Sequence, residues 1–114
     1  MAKKQIDVIR GEVWNVDLGW GEGSEQRGIK PCVIVQNDVG NSRSGTTIIV
    51  PITSKKKSYH KTHVEIKGNL LMTSYALCEQ IRVVDKKRFG NKLAVLDYET
   101  MREIENAIKI QLGM

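Results

Sequence analysis

The sequence has few residues of the types that cross-link a protein or bind a metal. It contains two cysteines, Cys32 and Cys78, which lie 46 positions apart and form no Cys-x-x-Cys pair. This spacing argues against a disulfide framework and against a zinc site. Only two histidines are present, with no cluster of further ligands near them in the sequence. We therefore expect no metal site and no cofactor.

Long apolar segments are also lacking. No apolar run approaches the roughly 20 residues that a membrane span requires, and none follows the basic start of the chain, as it would in a signal peptide. We expect a cytoplasmic protein that makes no membrane contact. The chain has 114 residues, of which 40% are hydrophobic and 27% charged. This predicts a single domain over 1–114, with a polar N-terminal tail over 1–9.

The positive charge is concentrated in the middle of the chain. The whole protein has a formal net charge of +5. Segment 26–67 has eight basic and two acidic residues, whereas 93–114 has two basic and four acidic residues. A polyanion would therefore be attracted to the middle of the chain. On charge alone, an ordinary solvated basic face is an equally good interpretation.

The alternation of apolar and polar residues predicts short strands separated by turn signals. These strands cover residues 12–18, 31–36, 46–53, 62–67, 75–84 and 92–96. Pro51 interrupts the third of them and indicates a sheet edge or a bulge. The polar segment 37–45 contains Gly-Asn and Ser-Gly pairs and is predicted to be a loop.

The C-terminal segment changes to a helical period. An apolar stripe is formed there by Met101, Ile104, Ile108 and Leu112. Asp97 is the expected N-cap of this helix and Gly113 its C-cap. A single helical turn over 85–89 is expected to be capped by Asp85. Short strands followed by one amphipathic helix favour a small, partly open barrel or curled sheet closed by the helix.

The segment 19–30 is a candidate binding loop. It contains four glycines and has neither strand nor helix periodicity, and loops of this length often have a function. Its polar side chains belong to Ser24, Glu25, Gln26, Arg27 and Lys30. They precede a proline that begins a buried strand. From these residues alone, a binding loop and a structural turn are almost equally good interpretations.

The motifs, taken together, resemble those of the MazF/PemK toxins, the ribonuclease components of toxin–antitoxin pairs. They cover nearly the whole chain from about Arg10 onward. The matching stretches are RGEVW at 10–14, GSEQ at 23–26, QNDVGN at 36–41, PIT at 51–53, THVEI at 62–66 and LCEQIR at 77–82. The resemblance implies a mainly β fold, an SH3-like, partly open barrel with a C-terminal amphipathic helix, assembled as a homodimer.

The resemblance also implies an activity and partners. The expected activity is sequence-selective, metal-independent cleavage of single-stranded RNA, which leaves a 2′,3′-cyclic phosphate and a 5′-hydroxyl. A cognate antitoxin is expected to inhibit cleavage by occupying the RNA groove, and operator DNA is a further possible partner through that antitoxin. The alternative is a non-catalytic toxin or repressor of the same fold, such as a gyrase-binding protein of the CcdB type.

Catalytic roles carry over to particular residues by the resemblance. Thr53 matches the family's catalytic threonine, although an ordinary strand-end residue is the alternative. Lys30 stands where the family has a catalytic arginine before the proline, and lysine keeps the charge but loses the two-point contact with phosphate. Arg27, three positions earlier, is a second candidate cation. Glu25 either accepts the 2′-hydroxyl proton or orients Lys30 by an ion pair.

Other residues are candidates for RNA binding. Ser24 and Gln26 either hold the scissile phosphate or the sugar, or tie the loop together. Glu79 and Gln80 are candidates to read base edges. Trp20 either stacks on a base or packs as a lid. The lysines expected to attract RNA without sequence selectivity are Lys55, Lys56 and Lys57.

Overall fold

The computed structural model describes residues 6–55, 61–68, 70 and 72–114. Its strands are β1 (Glu12–Asp17), β2 (Ile29–Ile34), β3 (Thr46–Thr53), β4 (His63–Ile66), β5 (Ser74–Leu77), β6 (Arg82–Asp85) and β7 (Phe89–Val95). Its α-helices are α1 (Asp38–Arg43) and α2 (Tyr98–Leu112), and 3₁₀ turns occur at Cys78–Gln80 and Lys86–Arg88. None of these described helices is long and apolar enough to cross a membrane.

The strands form one antiparallel sheet that does not close. Their order is β4-β5-β3-β2-β1-β7, and β6 pairs with β3 outside this path. Strand β3 pairs with three other strands. One of its edges pairs with β2, and its other edge pairs with β6 along residues 46–49 and with β5 along residues 52–53. This confirms the predicted partly open barrel with a C-terminal helix.

Pro51 lies in a central strand of the sheet, but at a point where one edge of that strand is unpaired, so the predicted sheet edge is present locally. Residues 46–49 of β3 pair with β6, and residues 52–53 pair with β5. Pro51 falls in the gap between these two pairings. A nitrogen that cannot donate is tolerated there because no strand pairs with that edge at this point.

The segment 37–45 contains helix α1 and is not the predicted loop. The Asn37 side chain caps the helix by accepting the Gly40 N–H at 2.9 Å. Asn41 is buried beneath it, where its Nδ2 donates to the Gln36 carbonyl at 3.0 Å and its Oδ1 accepts the Thr47 hydroxyl at 2.6 Å. The Gly40-Asn41 pair that suggests a turn therefore lies inside the helix, where Asn41 is a buried anchor.

The predicted strand over 75–84 is two strands joined by the 3₁₀ turn Cys78–Gln80. Both strands pair with β3, so the strand-like residues on either side of the turn do not show in the sequence where β5 ends and β6 begins. The turn takes the chain from one end of β3 to the other. The helical turn expected after Asp85 is confirmed, with the Asp85 carboxylate accepting the Lys87 N–H at 2.8 Å.

Two apolar clusters pack against the sheet. The first lies between the sheet and α2 and includes Val33, Val50, Ile52, Met101 and Ile104. The second includes Val8, Val16, Cys32, Ile34, Ile49 and Phe89. Consecutive residues of β2 alternate between the two clusters, as side chains on opposite faces of a strand must.

Helix α2 has the predicted caps. Asp97 accepts the Thr100 N–H at 2.8 Å, and Gly113 ends the helix in the left-handed conformation with φ of 72°. The apolar stripe is shorter than predicted, because Leu112 is 55% exposed. The first turns of α2 thus cover the sheet, while its last turn projects beyond the core.

The prediction of a polar tail over 1–9 is wrong for residues 6 and 8, at the C-terminal end of that segment. Val8 is buried in the second cluster and Ile6 packs against that cluster, while residues 1–5 lie outside the described part of the chain. Arg10 then anchors the segment. Its guanidinium donates to the Val35 carbonyl and to the Glu105 carboxylate.

The Glu12 carboxylate is a buried acceptor at the start of β1. It accepts the Ile9 N–H at 2.8 Å and the Trp14 Nε1–H at 3.1 Å, and it lies 2.7 Å from Lys92 Nζ. Burial raises the pKa of Glu12, but the hydrogen bonds from Lys92, Trp14 and Ile9 together hold it below the usual value. The charged form of Glu12 therefore stabilises the fold.

Stability should fall in acid because of this carboxylate. The unfolded chain binds the Glu12 proton more tightly, so the free energy of unfolding is expected to decrease as pH falls below the ordinary pKa of 4.5. Asp38 and Asp97 have lowered pKa values too, because backbone N–H groups bond to them. Urea unfolding from pH 7 to pH 3 measures the slope. Glu12→Gln should reduce the slope, and an unchanged slope would contradict this role.

Candidate nucleic-acid interface

A groove of about 960 Å³ opens where the 19–28 loop meets the start of β2 and the end of β3. Its polar lining consists of Ser24, Glu25, Gln26, Arg27, Lys30, Thr53, Ser54, Lys55 and Ser74. Its apolar lining includes Ile29, Leu70, Met72 and Leu93. The structure thus brings most of the candidate site residues from separate parts of the sequence into one cleft.

Lys30 and Thr53 enter the groove from adjacent strands. The register of β2 with β3 sets Cys32 opposite Pro51. Because side chains alternate along a strand, the next residues on the same face toward this end of the sheet are Lys30 and Thr53. Both side chains are half-buried. An ammonium group and a hydroxyl are therefore presented by two strands whose backbones are held in the sheet.

The loop that forms the other wall is tied across its base. The Leu18 N–H donates to the Gly28 carbonyl at 2.9 Å, and the Gly28 N–H donates to the Gly19 carbonyl at 2.8 Å. Gly21 has φ of 65°, and a Cβ at this position would lie 3.1 Å from the Arg27 Cβ. The two arms of the loop therefore approach each other so closely that a side chain at Gly21 would not fit without a shift.

Glu25 bonds to its own loop. Its Oε1 accepts the Glu22 N–H at 2.8 Å, and its own N–H donates to the Glu22 carbonyl at 2.9 Å. Across the described residues, the ion pairs include none between Glu25 and Lys30. The ion pair expected as one alternative is thus not formed, and the carboxylate remains in the lining of the groove.

The two candidate cations, Lys30 and Arg27, differ in side-chain exposure and in how firmly their backbone is held. Lys30 is half-buried at the start of β2, where it pairs with Val16 of β1. Arg27 is exposed and precedes Gly28, whose φ of 75° is open to few residues other than glycine. Lys30 is therefore the cation with the more fixed backbone.

Glu79 and Gln80 are not part of the groove lining. Gln80 Nε2 donates to the Ser24 carbonyl at 3.1 Å, and its Oε1 accepts the Gln26 N–H at 3.4 Å. Glu79 lies 2.8 Å from His63 Nε2 and accepts the Thr62 hydroxyl at 3.3 Å. These contacts make Gln80 a brace for the 19–28 loop and Glu79 a partner of β4.

This brace is not apparent from the sequence, whose pattern predicts one strand over 75–84. Two arginines behind the loop are likewise not among the residues that the sequence singles out. Arg82 Nη1 lies 3.5 Å from the Leu18 carbonyl, and Arg88 Nη1 donates to the Asp17 carbonyl at 3.2 Å. Both add positive charge at the base of the loop.

Of the three lysines expected to attract RNA, Lys55 is exposed and lines the groove. Lys56 and Lys57 lie outside the described residues. Within the described part of the chain, the charged groups of the lining are three cations and the single carboxylate of Glu25. The groove is thus suited to an anionic ligand.

The two cysteines do not form a reactive centre. Burial raises the pKa of the Cys32 thiol to about 12, and burial together with the neighbouring Glu79 carboxylate raises that of Cys78 to about 12. Neither thiol is ionised at neutral pH, so neither acts as a nucleophile. The described residues contain no group of three or more His, Cys, Asp or Glu side chains that could hold a metal ion.

Solved structures resemble this chain over nearly its whole length. An endoribonuclease in complex with its cognate antitoxin, from Mycobacterial species, is 27% identical and has a TM-score of 0.81, with 94% of this chain and 96% of that chain covered. MazF from Deinococcus radiodurans is 23% identical with a TM-score of 0.86, covering 96% and 99%. A MazE–MazF complex from the same organism is 20% identical with a TM-score of 0.76, covering 96% and 98%.

Residues 9–112 also match the family model of the PemK-like, MazF-like toxins of type II toxin–antitoxin systems. This match covers the binding loop, the ends of β2 and β3 and the closing helix. It agrees with the motifs from which the resemblance was inferred. The chain belongs to the PemK-like, MazF-like toxin family of type II toxin–antitoxin systems.

Proposed function

We propose that this toxin is an endoribonuclease that cleaves single-stranded RNA in the groove between the 19–28 loop and the end of β3. The observation that carries the proposal is the position of Lys30 and Thr53 side by side at the ends of adjacent strands. The endoribonuclease class is supported by the 27% identical relative, which is named as an endoribonuclease.

The reaction we propose is attack of a 2′-hydroxyl oxygen on the adjacent phosphorus. The new P–O2′ bond forms as the P–O5′ bond breaks, which yields a 2′,3′-cyclic phosphate and a 5′-hydroxyl. Negative charge increases on the phosphoryl oxygens in the transition state. The Lys30 ammonium and the Thr53 hydroxyl are the groups we assign to those oxygens, because fixed donors at such a position lower the barrier.

The reaction also requires transfer of two protons. One leaves the 2′-hydroxyl, and Glu25 is the carboxylate in the described lining that is available to accept it. The bond from the Glu22 N–H holds that carboxylate in place. The other proton goes to the departing 5′-oxygen, and we assign its delivery to the Lys30 ammonium in the lining, since a guanidinium such as that of Arg27 keeps its proton in proteins. Metal-independent cleavage is therefore part of the proposal.

The sequence suggests that Glu79 and Gln80 read base edges, but we do not assign them that role. Gln80 bonds to the loop at Ser24 and Gln26, so we assign it to positioning the loop. Ser24 and Gln26 remain candidates to hold the phosphate or the sugar, since both line the groove. The apolar wall around Ile29 offers a surface for bases.

The partners we propose are a cognate antitoxin and a second copy of the chain. A mainly cationic groove suits an acidic antitoxin segment that competes with RNA, and operator DNA would be contacted through that antitoxin. The solved relatives in complex with antitoxins support the first partner. A homodimer in the cytoplasm is the proposed form. Light scattering at tens of micromolar tests it, and a monomeric mass would reject it.

The experiment that tests the function is cleavage of a mixed-sequence single-stranded RNA by the purified protein in EDTA, followed by analysis of the product ends. We expect 2′,3′-cyclic phosphate and 5′-hydroxyl ends. Cleavage that requires an added divalent metal would reject the metal-independent mechanism. Absence of cleavage would favour the alternative function, a non-catalytic toxin or repressor. The observation that favours this alternative is Lys30, which stands where the family has a catalytic arginine.

RNA binding should weaken strongly with salt, because we expect the positive charges of Lys55, Lys56 and Lys57 to attract the phosphate backbone. Lys55→Ala is expected to reduce the slope of log K against log salt by about one unit, without changing sequence preference. Replacement of Lys55, Lys56 and Lys57 together should reduce it further. Lys109→Ala, an exposed lysine of α2, is the matched control. Equal slopes for all variants would show that these lysines do not contact the RNA.

A further inference from the structure

Trp20 is a large aromatic side chain that the proposed reaction does not use. It is 93% exposed, more than any other large hydrophobic side chain in the described residues. It lies between Gly19 and Gly21, whose φ angles are 76° and 65°. A ring with this exposure covers no part of the core. Of the two roles expected from the sequence, the packing lid is therefore excluded.

Trp20 belongs to the loop that forms one wall of the groove, although it is not among the residues that line the groove. The Gly28 N–H bonds to the Gly19 carbonyl at 2.8 Å, and a Cβ on Gly21 would lie 3.1 Å from that of Arg27. Trp20 is thus on one arm of the loop and Arg27 on the facing arm. Arg27 lines the groove. The exposed indole therefore belongs to the loop at one wall of the groove, on the arm that faces Arg27.

We propose that Trp20 is a stacking site for an unpaired RNA base outside the scissile dinucleotide, with Arg27 neutralising the adjacent phosphate. Every base has a π-face, so such a site binds single-stranded nucleic acid with little regard to sequence. The cations of the adjoining groove bring the strand to the ring. The site rests on the proposed function, because it lengthens the RNA segment that the same groove binds.

The test uses a fluorescein-labelled, fully 2′-O-methylated 12-nucleotide RNA of mixed sequence, which lacks the attacking hydroxyl. Fluorescence anisotropy measures its Kd. Trp20→Ala is expected to raise the Kd about tenfold, and Trp20→Phe should restore part of the affinity. Tyr98→Ala is the matched control, since Tyr98 is an exposed aromatic on α2 outside the groove lining. Its Kd should equal that of the wild type.

Tryptophan emission gives a second, direct measurement. RNA should quench the emission of the wild type, and most of this quenching should be lost in Trp20→Ala. The remaining Trp14 reports on folding in the variant, because its ring contacts Phe89 edge to face at 5.7 Å. Unchanged emission from Trp14 would show that the variant is folded.

Several results would overturn the inference. Equal Kd values for the wild type and Trp20→Ala, in a protein that still cleaves RNA, would reject the stacking site alone. A dimer that dissociates in Trp20→Ala, measured by light scattering, would assign the ring to a subunit interface. If the wild type neither binds nor cleaves RNA, both the proposed function and the stacking site are rejected.

Discussion

Lys30→Ala and Thr53→Ala should each lower the rate of RNA cleavage by about 10²–10³-fold, with folding unchanged. Loss of one preorganised donor to a transition-state oxygen typically costs about 3–4 kcal/mol. Both side chains are half-buried at strand ends and contribute little to the core, so the variants should unfold at nearly the wild-type urea concentration. Single-turnover cleavage of one RNA substrate measures the rate.

Two further variants separate the cations of the loop. Lys30→Arg should retain or raise activity, because a guanidinium contacts phosphate through two N–H groups. Arg27→Ala should lower the rate less than Lys30→Ala, because Arg27 is exposed and its backbone is less restrained. If Arg27→Ala is the more severe variant, Arg27 has the role assigned to Lys30. If none of the three side chains affects the rate, the proposed mechanism is wrong.

Ile104→Ala should lower the free energy of unfolding by about 2–5 kcal/mol. Ile104 is fully buried in the cluster between α2 and the sheet. Truncation there leaves a cavity under the helix that closes the barrel. Urea unfolding followed by tryptophan fluorescence measures the loss, at one protein concentration because a dimer makes stability concentration-dependent.

Ile110→Ala is the matched control for this prediction. It lies on the same helix, but its side chain is 56% exposed, so the free energy of unfolding should change by about 0.5 kcal/mol or less. Equal losses for the two variants would contradict the packing of α2 described above. A loss confined to Ile104→Ala would support it.

The strands with a strong local pattern were predictable from sequence. Strand β3 has the predicted bounds because it is rich in β-branched residues and is buried along most of its length. Helix α2 was predictable because its caps, Asp97 and Gly113, and its apolar period agree. The family was identified from motifs spread along the chain, and the family match confirms it.

The elements that were missed depend on contacts distant in sequence. Helix α1 has six residues, and its Asn41 side chain accepts a hydrogen bond from the Thr47 hydroxyl of β3. No local sequence pattern reveals this contact. The break after β5 arises because β5 and β6 pair with two different parts of β3. Val8 is buried by contacts with the second apolar cluster, most of whose other members lie much later in the sequence.

Part of the site was predictable, because several of its residues lie close together in the sequence. Ser24, Gln26 and Lys30 lie close in sequence, and the resemblance links them to Thr53. All four line the groove. The bracing role of Gln80 was not predictable, because it depends on hydrogen bonds to residues more than 50 positions away.

The most direct test of the central claim is cleavage of an RNA with one 2′-deoxy nucleotide on the 5′ side of a mapped cleavage position, in EDTA. If the neighbouring 2′-hydroxyl is the nucleophile, the unmodified RNA is cut at this position and the modified RNA stays intact there. Cleavage of both RNAs at the same position and rate would contradict the mechanism, because the attacking oxygen would then come from another source.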